Sequence, residues 1–187
     1  MIAYVFWHWR KRGLPAGDYE KRQRHFHAAL TAAPPSGFTG SFSVGIAGAD
    51  WAAGGDEAYE DWYLVKDFGA LGALNEGAVS GTMSDPHNAA AAVAEGGTAS
   101  IYLLRRGDVM IDPGYAHWFD KPSGMTYAEL AALLDPVVDR EEAALWMRQL
   151  ALGPARELCL HARKKVSLPS PFEAIVLPLR LIWPVGR

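Results

Sequence analysis

The clearest periodicity in the chain lies between Tyr59 and Val79, where a strand pattern turns into a helix pattern within about two residues. Tyr59, Asp61, Tyr63 and Val65 form one face and Trp62 and Leu64 the other, so large side chains project from both sides of the predicted strand. Asp67 is placed to cap the following helix, and Phe68, Leu71, Leu74 and Ala78 recur at helical spacing. The first ten residues repeat the two-sided pattern: Tyr4, Phe6 and His8 alternate with Val5, Trp7 and Trp9, as in a central strand or a barrel wall. From Asp18, read as an N-cap, a helix puts Tyr19, Phe26, Leu30 and Ala33 inward and Lys21, Arg22 and Arg24 outward, and Pro34-Pro35 ends it. Phe38, Phe42, Val44 and Ile46 then alternate with Thr39, Ser41 and Ser43 in a half-buried strand.

Ser84-Asp85-Pro86 opens another helix, with the alanine run ending at Gly96-Gly97 and a strand from Thr98 to Arg105. The order is βαββαβ, a split-βαβ or ferredoxin-like unit over residues 1–107. Tyr115-Ala-His-Trp118 resembles Tyr4-Val-Phe-Trp7, and Thr126-Tyr127-Ala-Glu129 begins a helix much as Asp18-Tyr19-Glu20 does. A diverged second copy over 113–187 is the economical reading, with Leu130, Leu133 and Leu134 as its helical stripe. Residues 139–165 read either as two helices or as a hairpin of Leu145–Leu152 and Glu157–Ala162 around Gly153-Pro154, and the repeat favours the hairpin. Ile175, Leu177, Leu179, Leu181 and Trp183 form the last strand, placed at an edge because Pro178 donates no ladder hydrogen bond. Only a short Pro-rich link precedes it. A parallel crossover needs about a dozen residues, so this strand is expected to turn back as a hairpin or to pair elsewhere.

Composition narrows the function. Half of the 187 residues are hydrophobic, and seven Trp with seven Tyr demand a deep core, a pocket or an interface. A net charge of −3 gives no global pull toward nucleic acid or an anionic membrane, and the basic run around Arg10-Lys11-Arg12 reads as a solvated surface. One cysteine, Cys159, allows no intrachain disulfide, and no apolar run of spanning length or signal-peptide pattern is found; the expectation is a soluble, cytoplasmic protein.

The six histidines contain no ligand pair at helical spacing, and His25 and His27 lie about 200° apart around their helix, so no metal is expected. His8 and His117 each sit beside a tryptophan on the first strand of their repeat. Inside an aromatic pocket either would be held neutral by desolvation and could act as a base; the alternative is a buried, hydrogen-bonded histidine with no task. Asp61 and Tyr63 share a face and could orient a polar group of a substrate, or simply be solvated. Trp7, Trp62 and Trp118 would shape the pocket. His87 at a helix start is a rim candidate. Cys159 reads as a buried filler.

The βαββαβ order, the aromatic strand Tyr59 to Val65 and the helix Asp67-Phe68-Gly-Ala-Leu71-Gly-Ala-Leu74 together resemble the dimeric α+β barrel superfamily. The resemblance implies an α+β protein of tandem ferredoxin-like βαββαβ units packed sheet against sheet, forming a barrel within one chain or between two. That superfamily includes cofactor-independent oxygenases, isomerases, haem-handling enzymes and members without known activity. Its haem-degrading branch uses a tryptophan at the position of Trp62 with a histidine early in the next helix; here Phe68 to Asn75 has no histidine. The resulting expectation is a small-molecule enzyme, an oxygenase or isomerase acting on an apolar or aromatic substrate, with His8 or His117 moving the proton and no cofactor. A non-catalytic ligand-binding or assembly module is the alternative. A homodimer is expected only if the second half leaves a free edge.

Overall fold

The computed structural model describes residues 1–53 and 57–185, so the last two residues of the expected second unit lie outside it. Among the described residues nine strands and four α-helices follow in the order β1 (Ile2–Arg10), α1 (Ala16–Ala32), β2 (Phe38–Ile46), β3 (Ala58–Val65), α2 (Phe68–Gly77), α3 (Ser84–Ala91), β4 (Ala94–Arg106), β5 (Tyr115–Phe119), α4 (Tyr127–Glu141), β6 (Ala144–Arg148), β7 (Leu158–Ala162), β8 (Ile175–Pro178) and β9 (Arg180–Trp183). The nine strands lie in one antiparallel sheet of order β8-β5-β7-β6-β4-β1-β3-β2-β9.

The two-sided strands are explained by what covers each side. One face of every strand from β1 to β8 points into a shared interior containing Val5, Trp7, Phe42, Trp62, Tyr102, Trp118, Trp146 and Leu177. The opposite face of β1, β3 and β4 packs under α1, α2 and α3 through Ile2, Phe26, Leu30, Tyr63 and Leu74. That of β5, β6 and β7 packs under α4 through Phe119, Leu130, Leu134, Leu145 and Leu160. The expected capping by Asp67 is present, its carboxylate accepting from Ala70 N at 2.9 Å, and Thr126 forms a reciprocal capping box with Glu129.

Three local expectations are corrected. Helix α1 starts at Ala16 with Pro15 before it, so Asp18 lies inside the first turn rather than at the cap. Gly96 and Gly97 do not end a helix. They lie within β4, where a Cβ on Gly97 would stand 2.3 Å from the Phe6 ring and one on Gly96 2.8 Å from that of Trp9; glycine is what lets β4 run close beside those aromatic rings of β1. The final strand is two short strands. Before Pro178 the chain pairs with β5, after it with β2, and Leu179 between them donates its N–H to Gly114 O at 2.9 Å. The missing donor at Pro178 thus falls where the strand changes partner. Residues 163–174 cross from β7 to β8 without a helix, and both strands pair antiparallel with β5 and so run parallel to each other. The stretch after α4 is the hairpin, with strands shorter than the sequence suggests.

Candidate active site

A cavity of about 750 Å³ lies outside the barrel, between the sheet and α1–α3. Its walls are apolar and aromatic: Tyr4 and Phe6 from β1, Tyr19 and Phe26 from α1, Tyr63 from β3, and Leu71 and Leu74 from α2. Polar atoms enter from few positions, chiefly Gln23, Asp61, Asn75, His87 and Glu95. This is the composition of a small-molecule site.

Register builds the polar floor. Phe6 is opposite Asp61 and His8 opposite Tyr59, so His8 and Asp61 are diagonal neighbours on the face turned toward α1. His8 Nε2 stands 3.1 Å from Asp61 Oδ2, and His8 Nδ1 is 2.5 Å from the Tyr19 hydroxyl. From α1, His27 brings Nε2 to 3.3 Å of the same carboxylate oxygen while its Nδ1 is 2.7 Å from Ser41 Oγ on β2. Tyr63 donates its hydroxyl to Asp61 Oδ2 at 2.9 Å. Asp61, His8 and His27 are all at most 1% exposed. Burial by itself would push the Asp61 carboxyl up; the positive charge that His8 and then His27 carry when protonated outweighs it and holds the group well below the ordinary carboxylate range. Burial likewise raises the hydroxyls of Tyr19 and Tyr63.

Of the residues singled out from the sequence, His8, Asp61 and Tyr63 are brought together here. His117 is not. It faces outward from β5, with Nδ1 3.2 Å from Leu160 O on β7 and Nε2 accepting from Val166 N at 2.9 Å, so the ring ties the crossing segment to the sheet through Nε2. Trp7, Trp62 and Trp118 point into the barrel interior, fully buried, and do not line the cavity. His87 does, at the rim. Sequence reasoning missed His27 and Tyr19 as members of the site. The signal existed: Tyr19, Gln23, Phe26, His27 and Leu30 recur at helical spacing on the buried face of α1.

The interior holds its own acid. Glu60, on the opposite face of β3 from Asp61, accepts the indole N–H of Trp7 at 2.7 Å and of Trp62 at 2.6 Å. Burial pushes its carboxyl up to about 7, against the lowering effect of those two donors. His161, also in the interior and edge-on to Trp62 at 4.6 Å between ring centroids, is pushed down by burial to about 3. Burial raises the Cys159 thiol, which leaves it protonated.

No protein-family model matches the chain, and no curated protein matches it in sequence. Solved structures do match in shape. A candidate monooxygenase of Fusobacterium nucleatum superposes with a TM-score of 0.65 at 11% identity, over 100% of this chain and 94% of that one. A candidate monooxygenase of Lactobacillus acidophilus gives 0.53 at 9% over 98% of each chain, and a candidate chlorite dismutase 0.54 at 11% over 96% and 94%. An anthrone oxidase-like protein gives 0.51 at 8%, over 97% and 93%. This chain has the α+β barrel fold. Here a single chain supplies all nine strands of the nearly closed sheet.

Among the described residues no group of three or more His, Cys, Asp or Glu side chains could hold a metal ion, and no helix is long and apolar enough to cross a membrane. The cavity does not fit haem. His87 is the one imidazole lining it among the described residues, no lysine or arginine among them lines it to meet two propionates, and Asp61 and Glu95 would oppose those groups.

Proposed function

We propose that the chain is a small-molecule enzyme that removes a proton from an apolar, aromatic substrate held in this cavity, as a cofactor-independent oxygenase or isomerase does. The observation that carries this reading is the Tyr19–His8–Asp61 sequence of contacts at the cavity wall, 2.5 Å and then 3.1 Å. A substrate proton passes to the Tyr19 oxygen as the Tyr19 proton passes to His8 Nδ1. The imidazolium that forms faces the Asp61 carboxylate, and the transfer leaves no free tyrosinate, which burial would penalise. Gln23 and Tyr63 orient the ligand, and the aromatic walls exclude water. The substrate anion is then either reprotonated at another carbon or adds dioxygen there, with a C–O bond formed as the carbon is oxidised and the oxygen reduced; the peroxide anion takes back the relay proton, and the hydroperoxide loses water to leave a ketone. The likeness in fold to candidate monooxygenases and to an anthrone oxidase-like protein supports the oxygenase branch.

Oxygen uptake with a hydroxylated anthrone as probe tests this. Tyr19→Phe keeps the ring and removes the relay oxygen, and the rate is expected to fall by about 10²-fold or more with little change in KM. An unchanged rate would sink the relay. The non-catalytic alternative keeps one observation on its side, the tryptophan-filled interior, but it does not account for an open aromatic cavity over a buried carboxylate–imidazole cluster.

The chain is also read as two diverged copies, residues 1–107 and 113–187. The strand orders β4-β1-β3-β2 and β8-β5-β7-β6 support that reading, since each follows the same order within its half. Because β8 and β9, at the two ends of the sheet order, belong to one continuous segment, neither half needs a second chain to complete the barrel. The expected mass in solution is that of one chain by light scattering; a stable dimer would point to an interface other than a sheet edge.

A further inference from the structure

We propose that Asp61 Oδ1 sets the specificity of the cavity, which takes ligands that present an N–H or O–H donor and carry no negative charge. The inference rests on the reading of this cavity as a substrate site and adds what the ligand must bring to it.

The two oxygens of Asp61 differ. Oδ2 is surrounded, with His8 at 3.1 Å, His27 at 3.3 Å and the Tyr63 hydroxyl at 2.9 Å. Oδ1 is buried and accepts no hydrogen bond, although Asp61 lines the cavity. A buried acceptor left unpaired destabilises the structure that holds it, and a carboxylate held ionised is the strongest acceptor the wall offers. A ligand donor arriving at Oδ1 removes that penalty, whereas a ligand with only acceptors leaves it in place and adds lone-pair repulsion.

The remaining lining acts in the same sense. Its second acid is Glu95, on the strand that carries Gly96 and Gly97, and the neutral polar groups are Gln23, Asn75 and the tyrosine hydroxyls. Among the described residues no lysine or arginine lines the cavity. The two imidazoles that balance Asp61 are not themselves part of the lining, and they contact Oδ2 rather than Oδ1. A carboxylate or phosphate on the ligand would therefore meet carboxylate oxygen and the faces of Tyr and Phe rings, which repel anions and attract N–H groups.

The test is calorimetric titration of the wild-type chain, without dioxygen, using four ligands of one shape: 2-naphthol, 2-aminonaphthalene, 2-methoxynaphthalene and 2-naphthoate. The naphthol and the amine are expected to bind at least about tenfold more tightly than the ether, with the naphthoate weakest. Whichever donor binds better tells hydroxyl from amine. In Asp61→Asn the gap between naphthol and naphthoate is expected to narrow by about tenfold; should that variant fail to fold, the wild-type series decides alone. Ether or naphthoate binding as tightly as naphthol would overturn the proposal, as would failure of all four to saturate. Because binding is read without turnover, loss of the proton relay leaves the series intact. Conversely, turnover with no selectivity would retire this inference and keep the relay.

Discussion

Replacing Asp61 by alanine is expected to destabilise the fold by about 3–5 kcal/mol, the range for removing one partner from a buried charged cluster. Two imidazoles and a phenol converge on its Oδ2 from β1, α1 and β3, and all four side chains are buried. Urea unfolding followed by tryptophan fluorescence measures the loss. A change below about 1 kcal/mol, the value of an exposed ion pair, would show that the cluster does not hold α1 to the sheet. The same carboxylate gives an acid signature. Its folded pKa is depressed, so its contribution is fully present above the unfolded value of 3.8 and disappears as pH falls through the folded value below it. The loss should come only in strong acid.

Glu60 gives the second large effect, and its sign is the reverse. Its carboxyl rises from 4.5 to about 7 on folding, so the folded state holds the proton more tightly and stability falls as pH rises through that interval, by roughly 3 kcal/mol in all. His161, lowered from 6.5 to about 3, acts oppositely: its neutral form is the folded one, and stability falls as pH drops from 6.5 toward 3. The two nearly cancel between pH 4.5 and 6.5, where the wild-type protein should show little pH dependence. Glu60→Gln separates them. The amide accepts one indole N–H and not both, so the variant is expected to be less stable than wild type near pH 4.5 by about 1 kcal/mol. Above pH 7 it should become the more stable of the two, the difference having moved by roughly 3 kcal/mol. Paired unfolding curves at pH 4.5 and 8 check this, and parallel stabilities at both would mean that Glu60 titrates normally.

Much of the architecture could be read from local pattern. Asp67 before Phe68, Leu71 and Leu74 gave a capped helix where α2 stands, and the clean alternation from Ile175 to Trp183 located the closing segment. The hairpin around Gly153-Pro154 followed from the repeat and is present as β6 and β7. Where the reading failed, a distant partner had decided the outcome. Gly96-Gly97 looks like a helix stop until the rings of Phe6 and Trp9, about ninety residues away in sequence, require a strand without side chains beside them. His117 looked equivalent to His8, and both do face outward. What differs is the cover: α1 brings Tyr19 and His27 over His8, while His117 meets the backbone of Leu160 and Val166.

The sequence by itself determined the elements, their order, and the fact that β1 and β3 are buried on both faces, because alternation and capping are carried by neighbouring residues. Only the tertiary structure decided which face became the tryptophan interior and which the wall of the cavity. Period-two alternation separates Glu60 and Trp62 from Asp61 and Tyr63 but does not say what will cover either pair. Covering depends on how the sheet curls and where α1, α2 and α3 dock, and those are sums of long-range packing contacts. Asp61 therefore meets residues 8, 19 and 27 through the docking of a helix, while Glu60, its immediate neighbour, lies in a different environment on the other side of the same strand.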